Sequence, residues 1–105
     1  MENRINEILI RNNIKFYRQK VFEDCKNINY LPFDFFIPDQ NIVIEYHGKQ
    51  HYEPIKWFGG EETLFYIQNN DKIKKTYCEK NNIKYIEISY IEDKNIEEII
   101  HGILF

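Results

Sequence analysis

Two carboxylates stand in this sequence where apolar strands ordinarily exclude them. The stretch FDFFIPDQNIVIEYHGKQH, from Phe33 to His51, consists of two apolar runs joined by PDQN (Pro38 to Asn41), and each run carries one acid, Asp34 and Glu45. If PDQN is a hairpin loop of about four residues, Ile37 lies opposite Ile42, and every further pair keeps the same sum of residue numbers. Phe36 then pairs with Val43, Phe35 with Ile44, and Asp34 with Glu45. Directly opposed like charges, with β-carbons about 5 Å apart, destabilise a sheet. A cation reverses that penalty: hard divalent ions take oxygen ligands, and two converging carboxylates suit Mg²⁺ or Mn²⁺. The plainer alternative is that one acid points to solvent at a frayed edge or is offset by a bulge.

Strand alternation predicts which neighbours share that site. Phe33, Phe35, Ile37, Ile42, Ile44 and Tyr46 fall on one face, an apolar set fit for a core. Asp34, Phe36, Val43, Glu45 and His47 fall on the other, so His47 belongs with the carboxylates; a lone strand-end histidine would otherwise be read as structural. Gly48 allows a sharp turn or a close ligand approach, and His51 in the following loop either joins the site or lines it. Glu2 extends the apolar stripe of Ile5 and Leu9 at its N-terminal end, although an acid at a helix start is favourable in itself. Further along, Leu64, Ile67, Asp71, Lys74 and Cys78 follow one helical stripe. An Asp–Lys pair therefore interrupts a line that faces the sheet, either as a surface ion pair or as a cation held near the carboxylate face.

The elements that must position these residues follow from the pattern. Residues from about Glu2 to Asn12 read as a short helix and Ile14 to Phe22 as a strand, followed by the hairpin and the loop HGKQHYEPIKWFGG. A long helix runs from the acidic start Glu61-Glu62 to about Lys80, where Asn81-Asn82 ends it. IKYIEISY is a strand, and IEEIIHGILF an amphipathic closing helix. The order α-β-β-β-α-β-α predicts an α/β (α+β) mixed sheet with helices on its faces.

At 105 residues, 43% hydrophobic and 16% aromatic, the chain is expected to form one folded domain. No apolar run is long enough to span a bilayer, and ENRINE does not resemble a signal peptide, so an intracellular protein is expected. Cys25 and Cys78 are far apart with no CxxC pattern and read as reduced thiols. A zinc module using His47, His51 and Cys78 has no known zinc spacing behind it. The net charge of −3 argues against a nonspecific polyanion binder, but an acidic nuclease site counts against that total until metal binds.

D…ExH on a hairpin, between a helix bearing an acid and a helix bearing a lysine, resembles the PD-(D/E)XK nuclease superfamily over nearly the whole chain. FDFFIPDQNIVIEYHGKQHY, FGGEE and NDKIKKTYCEKNNIKYIEISY are similar to small phage and viral proteins of that superfamily. The histidine–glycine of IEYHG is similar to that of the very-short-patch repair endonucleases, where histidines take part in catalysis. The resemblance implies a restriction-endonuclease-like α-β-β-β-α-β core and a Mg²⁺- or Mn²⁺-dependent endonuclease acting on DNA. It matches Glu2 to the helix-one glutamate, Asp34 and Glu45 to the strand carboxylates, and Lys74 to the helix lysine. Asp34, Glu45 and the Tyr46 carbonyl would hold the metal, with Glu2 completing a second site. The usual lysine of ExK is absent and His47 stands in its place, so either Lys74, held by Asp71, has taken over the role, or His47 has, or catalysis is impaired. The last case implies a nuclease-fold module that binds nucleic acid or protein. With no separate recognition domain, sequence readout is expected to be weak unless a homodimer or another partner supplies it.

Overall fold

The hairpin forms in the register that its loop dictates. The computed structural model describes residues 2–27, 29–56 and 59–105, apart from the side chain of Glu2. Strands β2 (Phe33–Ile37) and β3 (Ile42–His47) pair antiparallel with Ile37 opposite Ile42, Phe36 opposite Val43 and Phe35 opposite Ile44. The turn closes through Asn41, whose φ of 56° an asparagine tolerates and whose N–H donates to the Pro38 carbonyl at 3.2 Å.

Around the hairpin stand α1 (Glu2–Arg11), β1 (Tyr17–Lys20), α2 (Gly60–Lys80), β4 (Lys84–Ser89) and α3 (Ile96–Leu104). Short 3₁₀ turns at Lys49–His51 and Tyr90–Asn95 connect β3 to α2 and β4 to α3. The sheet order is β1-β2-β3-β4, with β1 and β2 antiparallel and β3 and β4 parallel across the α2 crossover. The expected mixed α/β architecture and element order are therefore present.

Local chemistry sets the boundaries. At the start of α2, Gly59 has a φ of 92° and any side chain there would collide with Thr63. At its end Asn82 takes a φ of 57° and the Ile83 N–H returns to the Cys78 carbonyl at 2.9 Å, so Asn81-Asn82 stops the helix as expected. Ser89 and Glu92 form a capping box ahead of α3.

The sheet is buried on both faces. On one, α1 and α3 bring Ile5, Ile8, Leu9, Ile96 and Ile100 against Phe35, Ile37, Ile42, Ile44 and Ile88. On the other, under α2, Cys25, Leu31, Phe33, Val43 and Cys78 pack together, joined by Phe22, Phe36, Tyr77 and Tyr85. Two expectations need correction. The first strand covers only Tyr17–Lys20: Ile14 still hydrogen-bonds back to α1, at Leu9, and Phe22 has turned in against Phe33 and Phe36. Phe33 lies on the α2 face and not with Phe35, because alternation breaks at Asp34.

Candidate functional site

That break positions the first carboxylate. The β2–β3 pairing ends at Phe35–Ile44, one step before Asp34 and Glu45. In an unbroken ladder Tyr46 would exchange hydrogen bonds with Phe33. Instead the Tyr46 N–H donates to Asp34 Oδ2 at 2.8 Å, so the side chain replaces a strand carbonyl. The N–H and C=O of an extended residue point to the same side, so the Tyr46 carbonyl is also directed towards Asp34. On the far side of β2, Gln19 of β1 stands level with Asp34 and has a φ of 51°.

Glu45 lies on the α2 face of β3, 2% exposed. Burial pushes its carboxyl above the usual range; Lys74 opposes that shift, as do hydrogen bonds with Asp34. The Lys74 ammonium reaches down from α2 to within 2.6 Å of Glu45 Oε1 and lies 5.2 Å from the Phe33 ring centroid. Asp34, Glu45, Tyr46 and Lys74 line one cavity of about 280 Å³, together with Gln19, His51, Asn70 and Asp71.

A second cavity of the same size adjoins it, lined by His47, Tyr52, Lys75 and Glu87, and it shares His51 and Asp71 with the first. His51 Nδ1 and Asp71 Oδ2 are 2.8 Å apart. His47 stacks on His51, with ring centroids 3.9 Å apart and planes within 6°. Its nitrogens face acids on both sides, Nε2 lying 3.7 Å from Asp71 and Nδ1 3.5 Å from Glu87. Burial pushes the His47 pKa down, and Asp71 and Glu87 only partly offset this. Burial would raise Glu87, but the Tyr52 hydroxyl, His47 and Lys75 outweigh it and hold the carboxyl low. The ligating atoms of His47, His51 and Asp71 lie within 4.8 Å of one another, and such a set could hold a metal ion. Because the rings are parallel, one must first turn out of the stack for both to direct a lone pair at one ion.

The structure thus gathers Asp34, Glu45, Tyr46, Lys74 and His51 around one space and sets His47 behind His51, 2% exposed, in the neighbouring one. Asp71 pairs with His51 rather than with Lys74, because Lys74 points the other way, to Glu45. Glu2 begins α1, but its side chain lies outside the described residues. Cys78 packs with Cys25 and Val43, and burial pushes its thiol up to about 12, which disfavours the thiolate that zinc requires. A larger cavity of about 550 Å³, beside Cys25 and Tyr77, contains none of these site residues. Sequence reasoning missed Gln19 and Glu87. Glu87 carried a readable signal, an acid in an apolar strand, and it stands in register with Glu45 across β3 and β4.

No family model matches the chain, and no solved structure matches it. It is similar to uncharacterized protein 094L of Frog virus 3 (isolate Goorha), 36% identical over 76 residues, which are 70% of this chain and 48% of that protein. It is also similar to uncharacterized protein 307L of Invertebrate iridescent virus 6, 36% identical over 67 residues, 62% of this chain and 34% of that one. Uncharacterized protein 033L of Invertebrate iridescent virus 3 is 35% identical over 63 residues, 59% of this chain and 32% of that one. The chain therefore spans about half the length of the first and about a third of the other two.

Proposed function

We propose that the chain is a metal-dependent DNA endonuclease domain with a restriction-endonuclease-like core. The observation that carries this reading is the convergence of Asp34, Glu45 and Lys74 on one cavity, Lys74 lying 2.6 Å from Glu45. The element order and the antiparallel hairpin followed by a parallel β4 support it. The donor set fits a hard cation: Asp34, Glu45 and the Tyr46 carbonyl would hold Mg²⁺ or Mn²⁺. Such an ion, when bound, supplies hydroxide at neutral pH and offsets charge on the phosphate.

The remaining chemistry belongs to the chain. Lys74, held by its ion pair, orients the attacking water or neutralises the phosphate as its charge grows. His51 has Nδ1 engaged by Asp71, which leaves Nε2 to take or give a proton, the arrangement of an oriented general base or acid. His47 stacks beneath it and acts by holding that ring in place. The placement favours Lys74 over His47 as the replacement for the absent ExK lysine.

A second reading, a nuclease-fold module that has lost catalysis and binds nucleic acid or protein, draws on one observation: Lys74 already neutralises Glu45. Incubating the protein with linear, nicked, mismatched and four-way-junction DNA in Mg²⁺, Mn²⁺ or EDTA separates the two. Strand scission in either metal and none in EDTA is expected. Intact DNA under every condition would overturn the endonuclease reading and leave the binding module as the surviving one. No helix among the described residues is long and apolar enough to cross a membrane.

A further inference from the structure

Strand β1 departs from alternation at one residue. Gln19 takes a φ of 51°, a left-handed conformation that costs a side-chain-bearing residue free energy and that concentrates at functional sites. In a regular strand Tyr17 and Lys20, three apart, would face opposite sides of the sheet. Here the Lys20 ammonium lies 5.6 Å from the Tyr17 ring centroid, 5.5 Å from that of Phe22 and 6.0 Å from that of Phe36, on the α2 side. The reversal brings Tyr17 and Lys20 together and lets Gln19 line the cavity of Asp34 and Glu45.

Charge and exposure point the same way. In a chain of net charge −3, the segment from Ile8 to Phe22 carries Arg11, Lys15, Arg18 and Lys20 and no acid. Arg11 pairs with Glu97; among the described residues the other three make no ion pair. Tyr17 is 48% exposed beside Lys20, whereas Arg18 lies over Phe35 on the opposite face. Cations on an edge strand also discourage pairing with another chain. That purpose requires neither an exposed tyrosine nor a reversed backbone opening onto a cavity of carboxylates.

We propose that β1 is the seat of an unpaired DNA strand, with a base stacked on Tyr17, the backbone held by Lys20, and the Gln19 carboxamide meeting the phosphate beside Asp34; Arg18, over Phe35 on the opposite face, takes no part. An exposed ring with a cation beside it is the arrangement that binds single strands, because a base can stack on it only after leaving the duplex. This inference rests on the endonuclease reading for the identity of the polymer, and it narrows the substrate to DNA that is unpaired at the point of cutting.

Fluorescence anisotropy in EDTA tests it without cleavage, using a short labelled oligodeoxynucleotide, its duplex and the oligoribonucleotide of the same sequence. The single DNA strand is expected to bind most tightly. Tyr17→Ala should weaken that binding about tenfold while Tyr17→Phe retains it. Lys20→Ala should reduce the slope of log affinity against log salt by about 0.7. Tyr66→Ala, an exposed tyrosine on α2, should change neither quantity. Equal or tighter binding of duplex or RNA would overturn the proposal, as would unchanged binding in both Tyr17→Ala and Lys20→Ala. A protein that cuts DNA yet fails this test would keep its endonuclease reading. One that binds single strands through Tyr17 yet never cuts would keep the seat and lose the catalysis.

Discussion

Under α1 and α3 the sheet presents Phe35, Ile37, Ile42, Ile44 and Ile88, all apolar and nearly or fully buried, to helices that answer with isoleucine and leucine. Under α2 the same strands present Glu45 and His47, each 2% exposed, among aromatic rings and two thiols. The first face gains free energy from every side chain that it removes from water, about 1.5–3 kcal/mol for each large one. The second takes a carboxylate and an ammonium out of water, whose attraction roughly offsets that cost, and an imidazole that burial disfavours in its charged form. One face holds the fold together so that the other can hold groups at the wrong protonation cost for stability and the right positions for chemistry.

The largest expected effect on stability lies on the apolar face. Phe35→Ala should cost about 3–5 kcal/mol in urea denaturation. The double variant Glu45→Gln/Lys74→Met removes charge from the other face without leaving a lone ion, and should cost about 1 kcal/mol or less while abolishing cleavage. A double variant as unstable as Phe35→Ala would show that the ion pair holds the fold, and the contrast between faces would fail.

Next comes the pair broken on one side. Lys74→Ala leaves Glu45 buried with no ammonium beside it, a loss of about 3 kcal/mol, at the lower end of such cases because the carboxyl can take up a proton. Metal should move stability the other way. Mg²⁺ or Mn²⁺ at a hundredfold excess over its Kd should add about 2.7 kcal/mol by mass action, seen as a raised melting temperature. Asp34→Asn should reduce that rise, and an equal rise in both proteins would place the ions elsewhere.

The smallest effect is that of pH on the metal-free protein. The His47 pKa is lowered by burial, so near and below its ordinary value of 6.5 the unfolded chain binds more protons than the folded one. The stability due to neutral His47 is therefore complete above 6.5 and is lost as pH falls through the lowered folded value. Melting temperatures in EDTA should fall over that window, and His47→Gln should flatten the fall. Parallel curves for the two proteins would mean that His47 is not the group responsible.

Much of this arrangement is legible in the sequence. The hairpin register followed from loop length alone, and the carboxylates announced themselves by interrupting apolar strands. Helical spacing placed Lys74 over the sheet. What stayed hidden depended on backbone departures and on contacts between distant segments. The left-handed turn at Gln19 and the side switch of Phe33 break the period of two on which strand reading rests. The choice of Asp71 for His51 rather than Lys74 depends on where the Lys49–His51 turn meets α2, which no local spacing encodes.

The most direct test of the site is a single-turnover cleavage comparison of Lys74→Ala and His47→Ala, with Mn²⁺ binding measured on the same preparations. Lys74 shares the carboxylate cavity and His47 does not. Lys74→Ala should therefore abolish cleavage while Mn²⁺ still binds at neutral pH, displacing any proton that Glu45 has taken up, since an ammonium is no ligand. His47→Ala should lose about 10²-fold or less, through the ring that it supports. Full activity in Lys74→Ala, or a loss in His47→Ala exceeding that in Lys74→Ala, would contradict the assignment.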